Sequence, residues 1–318
     1  MILLFLSLFK VYVAPGIIFF PENQNNNFRA TGEFYGLLSG GPKDLFGLLE
    51  VRGFASFQGE ARYELFVNRA FVRMKAKNIE VFGGKDTYSW AFENIFTPYY
   101  YLNPEIVNTG FYIYKKGIPA LGVKFYGKNM MFEFMGVIRK DQAFAEEKLH
   151  PCGRLYLTDN NFEFQIPFYL GSYKSAGLGL RSRAGSITYA ADISFQLTET
   201  RIFTNFSSSL NFPVGDNLLI DLEYLFAPEL YYEVLFSHLF LFFGDNNFYL
   251  SLSWSKERRY MSLSGFCSTN PDVLTLLFVP GLTMGKAEFN LLIGGYLIDF
   301  FGSKTKNEIL GAQVKIYL

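Results

Sequence analysis

From Val67 to Lys77 the odd positions carry Arg69, Phe71, Arg73, Lys75 and Lys77, and the even positions carry Asn68, Ala70, Val72, Met74 and Ala76. A two-residue period is the signature of a strand with one polar and one apolar face. The same alternation returns at 49–58, where Leu49, Val51, Gly53, Ala55 and Phe57 oppose Glu50, Arg52, Phe54, Ser56 and Gln58. It recurs at 187–197, at 248–255 and at 310–318, so the pattern is spread over the whole chain. It predicts strands at 28–37, 45–57, 60–76, 79–88, 109–116, 119–127, 130–139, 153–158, 161–169, 175–183, 186–197, 201–211, 217–226, 231–243, 247–256, 259–268, 284–299 and 307–318. A further short strand is predicted at 272–279. Many of these exceed the ~5–6 residues usual in globular sheets and reach the ~9–11 that a tilted strand needs to cross a bilayer. Short connections rich in Gly, Asn and Asp, such as 127–129, 158–161 and 244–247, suit hairpins. No amphipathic helix and no apolar run of helical spanning length is legible.

Alternation fits a soluble barrel or sandwich as well as a barrel in lipid, and composition separates them. A meander of this many strands has open edges and a thin core as a single soluble sheet, whereas closure satisfies every backbone group and removes the edges. The chain holds 37 Phe and 21 Tyr against two Trp. Such an excess of rings suits girdles at two membrane interfaces, with Tyr112, Tyr231 and Phe240 among the rings near strand ends. The expectation is an all-β fold: a single transmembrane antiparallel β-barrel of 16 or 18 strands with a constriction loop. Residues 1–14 read as an export signal, with an apolar run ending in a small residue, and 15–318 as the barrel. If the 77–78 turn is periplasmic, the strand at 28–37 runs downward, and an N-terminal strand is left to be found. Lys plus Arg equals Asp plus Glu at 29 each, which gives no net field for nucleic acid. Cys152 and Cys267 match no metal-ligand spacing and read as unpaired.

One stretch is more specific than the pattern. Arg69, Ala70, Phe71 and Val72 lead to a tight turn at Lys77 and Asn78. The return strand carries Gly84, Lys85 and Asp86, and a long connection follows at 89–108. This arrangement resembles bacterial porins and porin-like channels, in which that connection folds into the pore. The resemblance implies a Gram-negative outer-membrane location and passive diffusion of small hydrophilic solutes or ions through a water-filled barrel. The stretch 314–318 looks like the terminal strand read by the outer-membrane assembly machinery, although here Tyr317 is followed by Leu318. The partners implied are the lipid bilayer, that machinery, small solutes and further copies of the chain in a homotrimer.

In a water-filled barrel the inward positions include Glu50, Arg52, Arg69, Arg73, Lys75, Asp192, Asp221 and Glu223, with Lys85 or Asp86 near the loop. Opposed charges across a constriction set up a transverse field, and the cluster Arg69, Arg73 and Lys75 points to a local preference for anions. The plainer reading of each charge is a solvated wall held in cross-strand ion pairs. In the loop, Pro98 stiffens the backbone, and Tyr99, Tyr100 and Tyr101 either stack on a solute or anchor the loop to the wall. Catalysis has no constellation: the only histidines are His150 and His238, and the neighbouring Ser237 points to the opposite face from His238. No cofactor or metal is expected. The alternatives left open are a transporter for hydrophobic solutes and a non-conducting structural barrel.

Overall fold

The computed structural model describes residues 8–19, 28–41, 44–58, 60–88, 90–92, 106–108, 113–115, 117–141, 144–171, 174–197, 201–227, 245–269, 272–300 and 303–317. Among them the chain forms β1 (Leu8–Phe19), β2 (Phe28–Gly40), β3 (Leu45–Gln58), β4 (Glu60–Ala76), β5 (Ile79–Asp86), β6 (Ile106–Asn108), β7 (Ile113–Lys115), β8 (Ile118–Tyr126), β9 (Met130–Asp141) and β10 (Phe144–Asp159). It continues with β11 (Phe162–Leu170), β12 (Lys174–Ala184), β13 (Ile187–Leu197), β14 (Ile202–Val214), β15 (Leu218–Phe226), β16 (Asn246–Lys256), β17 (Arg259–Thr269), β18 (Asp272–Met284), β19 (Ala287–Phe300) and β20 (Ser303–Tyr317). Eighteen of these strands make one antiparallel meander, and β1 pairs with β20 to close it into a barrel. Closure leaves no edge strand, as a bilayer core without water demands.

Strand number settles at 18 for local reasons. Residues 8–14, expected to belong to an export signal, lie in β1, which is hydrogen-bonded to β2 along its length and to β20 on its other side. This is the N-terminal strand that the count from 28–37 required. Of the stretch expected as a strand at 109–116, the described residues form β7, which pairs with β6 outside the barrel sheet. Residues 272–279, expected to be short, extend into the full strand β18. The strand expected at 231–243, with His238 inside it, lies outside the described residues.

The two rims differ. On one rim lie the short turns 41–44, 77–78, 127–129, 160–161, 185–186, 215–217, 257–258 and 285–286, together with Leu8 and Tyr317. Lys77 and Glu257 adopt φ of 53° and 54° there, the left-handed geometry of tight two-residue hairpins. The long connection between β5 and β8 leaves from the opposite rim. That rim also carries connections as short as 142–143, 270–271 and 301–302, but the longest connections lie there, as on the outer face of outer-membrane barrels.

Alternation sorts the side chains as the sequence predicts. Leu121 on β8 is 67 % exposed, Leu149 on β10 64 % and Ile202 on β14 68 %, and Phe134, Leu178, Phe248, Leu263, Leu276 and Leu291 continue the exposed apolar band around the wall. A soluble protein does not leave large apolar side chains uncovered around its whole girth. This face meets lipid, and the other phase encloses the lumen.

In β4 the phase shifts. Register runs Glu50↔Arg69 and then Val51↔Val67, so Asn68 is an extra residue in a β-bulge. Leu65 and Val67 point outward before the bulge, Val72 and Met74 after it. The strict alternation expected from Val67 onward is therefore broken at Asn68, which is buried on the inner face beside Arg69.

Candidate functional site

Half of the inner wall carries a girdle of charges whose sign alternates from strand to strand. It starts with Glu50 on β3 and Arg69 on β4, passes through Asp86 and Glu80 on β5 and Lys124 on β8, and continues with Glu133 on β9 and Arg154 on β10. Glu163 on β11, Arg181 on β12 and Asp192 on β13 complete it. Arg69 lies 3.7 Å from Glu50, and its Nε is 2.5 Å from Asp86. Lys124 sits 3.8 Å from Glu80 and 3.3 Å from Glu133, and Arg154 donates to Glu133 at 2.8 Å. Arg181 meets Glu163 at 3.2 Å. Each cation also lies over an aromatic ring: Lys124 over Phe82, Arg154 over Trp90, Arg181 over Phe92. Opposite charges on adjacent strands hold the wall together and leave little net field on this side.

The connection that leaves β5 turns inward. Its root is fixed by Asp86, which accepts the Thr87 amide at 2.8 Å while holding Arg69. Its return is fixed by Asn68, whose side-chain Nδ2 donates to Glu50 at 2.8 Å and whose side-chain Oδ1 accepts the Gly117 amide at 3.1 Å. Gly117 has to be glycine, since a Cβ there falls 2.1 Å from the backbone carbonyl oxygen of Asn68. From this root residues 87–88 and 90–92 follow the inner wall to β13, six strands away. Tyr88 and Trp90 pack with Phe82, Ala120, Met135, Val137, Cys152 and Tyr169 in an apolar cluster inside the barrel. Burial pushes the Tyr88 hydroxyl well above its ordinary value, and the carboxylate of Asp86 pushes the same way. Phe92 then docks on the far wall: its amide donates to Asp192 at 2.9 Å and its carbonyl accepts from Arg181 at 3.0 Å. The Trp90 carbonyl accepts from Gln165, which also donates to Asp192 at 3.0 Å.

The predicted residues fall into distinct places. Glu50, Arg52, Arg69 and Asp86 come together at the root of the inward segment, with Arg52 donating to Glu50 at 2.6 Å. Lys85 falls in the outward phase of β5, with Ile79 and Val81, and opposite Ala70 in register; between Lys85 and Asp86 it is Asp86 that faces the interior. Asp192 is inward but 1 % exposed, covered by the segment it anchors. Asp221 and Glu223 share the inner phase of β15. By position, β15 is the ninth strand from β4 in either direction round the barrel, so these acids face the basic strand across the lumen. Arg73 and Lys75 remain exposed, Arg73 over the ring of Phe46 and Lys75 over that of Tyr126. Pro98, Tyr99, Tyr100 and Tyr101 lie outside the described residues. Sequence reasoning missed Asn68, Lys124, Glu133, Arg154, Gln165 and Arg181. All but Asn68 sit in the polar phase of their strands, and asking which charge each strand turns inward finds the charged ones.

No protein-family model and no curated protein sequence matches the chain. Among solved structures it is similar to OccK11 (OpdR) of Pseudomonas aeruginosa, with a TM-score of 0.64, 11% identity and coverage of 99% of this chain and 97% of that one. The outer membrane protein OpdK of the same organism aligns with a TM-score of 0.63 at 8% identity, over 99% and 100% of the two chains. OccAB1 of Acinetobacter baumannii gives 0.59 at 10% identity, over 98% and 96%. The likeness runs over full length on both sides, and at these identities it establishes a shared fold.

Proposed function

We propose that this chain is a porin-like channel of the Gram-negative outer membrane, passing small hydrophilic solutes passively through a water-filled lumen. The observation that carries this reading is the closed 18-stranded wall, apolar outside and polar inside, with a chain segment docked inside it. A transmembrane barrel with a polar interior and an inward loop is a size-limited aqueous path. The full-length fold of OpdK, an outer membrane protein, supports the location. The charge girdle neutralises most of the inward charges on its own side, so selectivity falls to the charges left uncovered. Arg73 and Lys75, near the short-turn rim, favour anions at that end. We read β20, ending in Ile316 and Tyr317, as the strand offered to the assembly machinery.

Purified protein added to a planar bilayer tests the channel directly. Stepwise ohmic currents with weak anion preference are expected. Electrical silence from folded, inserted barrel, or uptake of apolar solutes without ion current, contradicts the reading.

A further inference from the structure

We propose that Gln165, Arg181 and Asp192 are positioning residues that latch the segment 87–92 across the lumen, and that releasing this latch widens the aperture. The inference rests on the channel reading above. Three side chains from adjacent strands β11, β12 and β13 converge on the backbone of two residues. Asp192 takes the Phe92 amide at 2.9 Å, Arg181 gives to the Phe92 carbonyl at 3.0 Å, and Gln165 gives to the Trp90 carbonyl. Gln165 and Arg181 are themselves held, by Asp192 at 3.0 Å and by Glu163 at 3.2 Å. Such contacts fix where the chain runs without depending on which side chains it carries.

The geometry makes this the far anchor of a tether. The near anchor, Asp86 with Thr87, lies on β5, six strands away. Between the two, the segment covers the wall formed by β8 to β12, and Cys152 on β10 is wholly buried behind Tyr88 and Trp90. Without the Asp192 carboxylate the Phe92 amide loses its acceptor in a dry site, so the docked state loses its reason to persist. Cys152 is thus a native reporter of docking, and Cys267, exposed on the lipid side, is removed as background.

The test uses the full chain carrying Cys267→Ser, in liposomes for labelling with a charged, water-soluble methanethiosulfonate and in planar bilayers for current. Heat-shifted migration on gels confirms a folded barrel for each variant. The parent is expected to leave Cys152 unlabelled. Asp192→Ala and Gln165→Ala are expected to raise the labelling rate about tenfold, the scale set by one lost hydrogen bond to a charged group, and to increase single-channel conductance. Asp192→Asn, which keeps an acceptor oxygen, is expected to fall nearer the parent. Parent-like conductance and protected Cys152 in both alanine variants overturn the latch, as does Asp192→Asn matching Asp192→Ala. Gln165→Ala removes a neutral side chain, leaves the Asp192 carboxylate on the Phe92 amide, and keeps the test open where Asp192→Ala does not fold. A parent that passes no current refutes the channel reading, while the labelling arm still reads the latch.

Discussion

Two stretches of this barrel's interior, β3 to β13 and β14 to β19, are unlike. From β3 to β13 each strand turns a charge inward, and the signs alternate. From β14 to β19 no strand carries a Lys or Arg except Lys256 and Arg259, which flank the 257–258 turn. The inner phase there includes Asn205, Ser207, Ser209, Asn247, Ser251, Ser264, Thr275 and Asn290, with the acids Asp221, Glu223 and Glu288 among them. The difference follows the docked segment. Where chain lies against the wall, buried polar groups are cut off from water and need strong fixed partners, and charges of alternating sign supply them. Along β14 to β17 hydroxyls and amides take the place of the charges, and Asn205, Ser207 and Asn247 are buried there as well. The charge-rich stretch is therefore mainly structural, holding the docked segment to the wall.

This contrast can be broken most severely within the girdle. Glu133 is 1 % exposed and holds both Lys124 and Arg154. Glu133→Ala strands two cations against a covered wall and is expected to destabilise the barrel by about 3 kcal/mol, read as a lower temperature for loss of the compact gel band. Gly117→Ala comes next: its Cβ meets the Asn68 carbonyl, so the root of the inward segment shifts, and an altered or unstable conductance level in bilayers is the expected result. Arg73→Glu with Lys75→Glu leaves every girdle pair intact and is expected to move the reversal potential toward cations. That shift should exceed the one from Arg69→Glu, whose charge is shared by Glu50 and Asp86. The smallest effect belongs to the hydroxyl wall. Ser251→Ala with Ser264→Ala removes two hydroxyls that bond Tyr249 and is expected to lower stability by about 1 kcal/mol while leaving ion selectivity as it was.

Much of the wall was legible because lipid and water impose a strict two-residue period on every strand. β3, β4, β13 and β17 fall within a few residues of their predicted bounds for that reason. β1 was hidden because an apolar run before a small residue reads equally as an export signal and as a lipid-facing strand. The phase shift at Asn68 was hidden because a bulge follows from pairing across strands, which one strand's pattern does not contain. The individual charges were legible as inward, but not as partners, since pairs such as Arg154 with Glu133 depend on register between distant stretches. The docking of 87–92 was foreshadowed only by the long connection after Asp86. Its contact with Asp192, 100 residues away in sequence, is a product of closure.

The central claim is that the apolar phase of the strands meets lipid and the polar phase meets water. Spin labels placed one at a time along β16, from Phe248 to Ser255, in reconstituted bilayers test it most directly, by comparing accessibility to dissolved oxygen and to a water-soluble nickel chelate. The account predicts two out-of-phase patterns of period two, with oxygen highest at Phe248, Leu250, Leu252 and Trp254 and nickel highest at Tyr249, Ser251, Ser253 and Ser255. Oxygen and nickel rising together at the same positions, or an apolar phase shielded from oxygen, would contradict it.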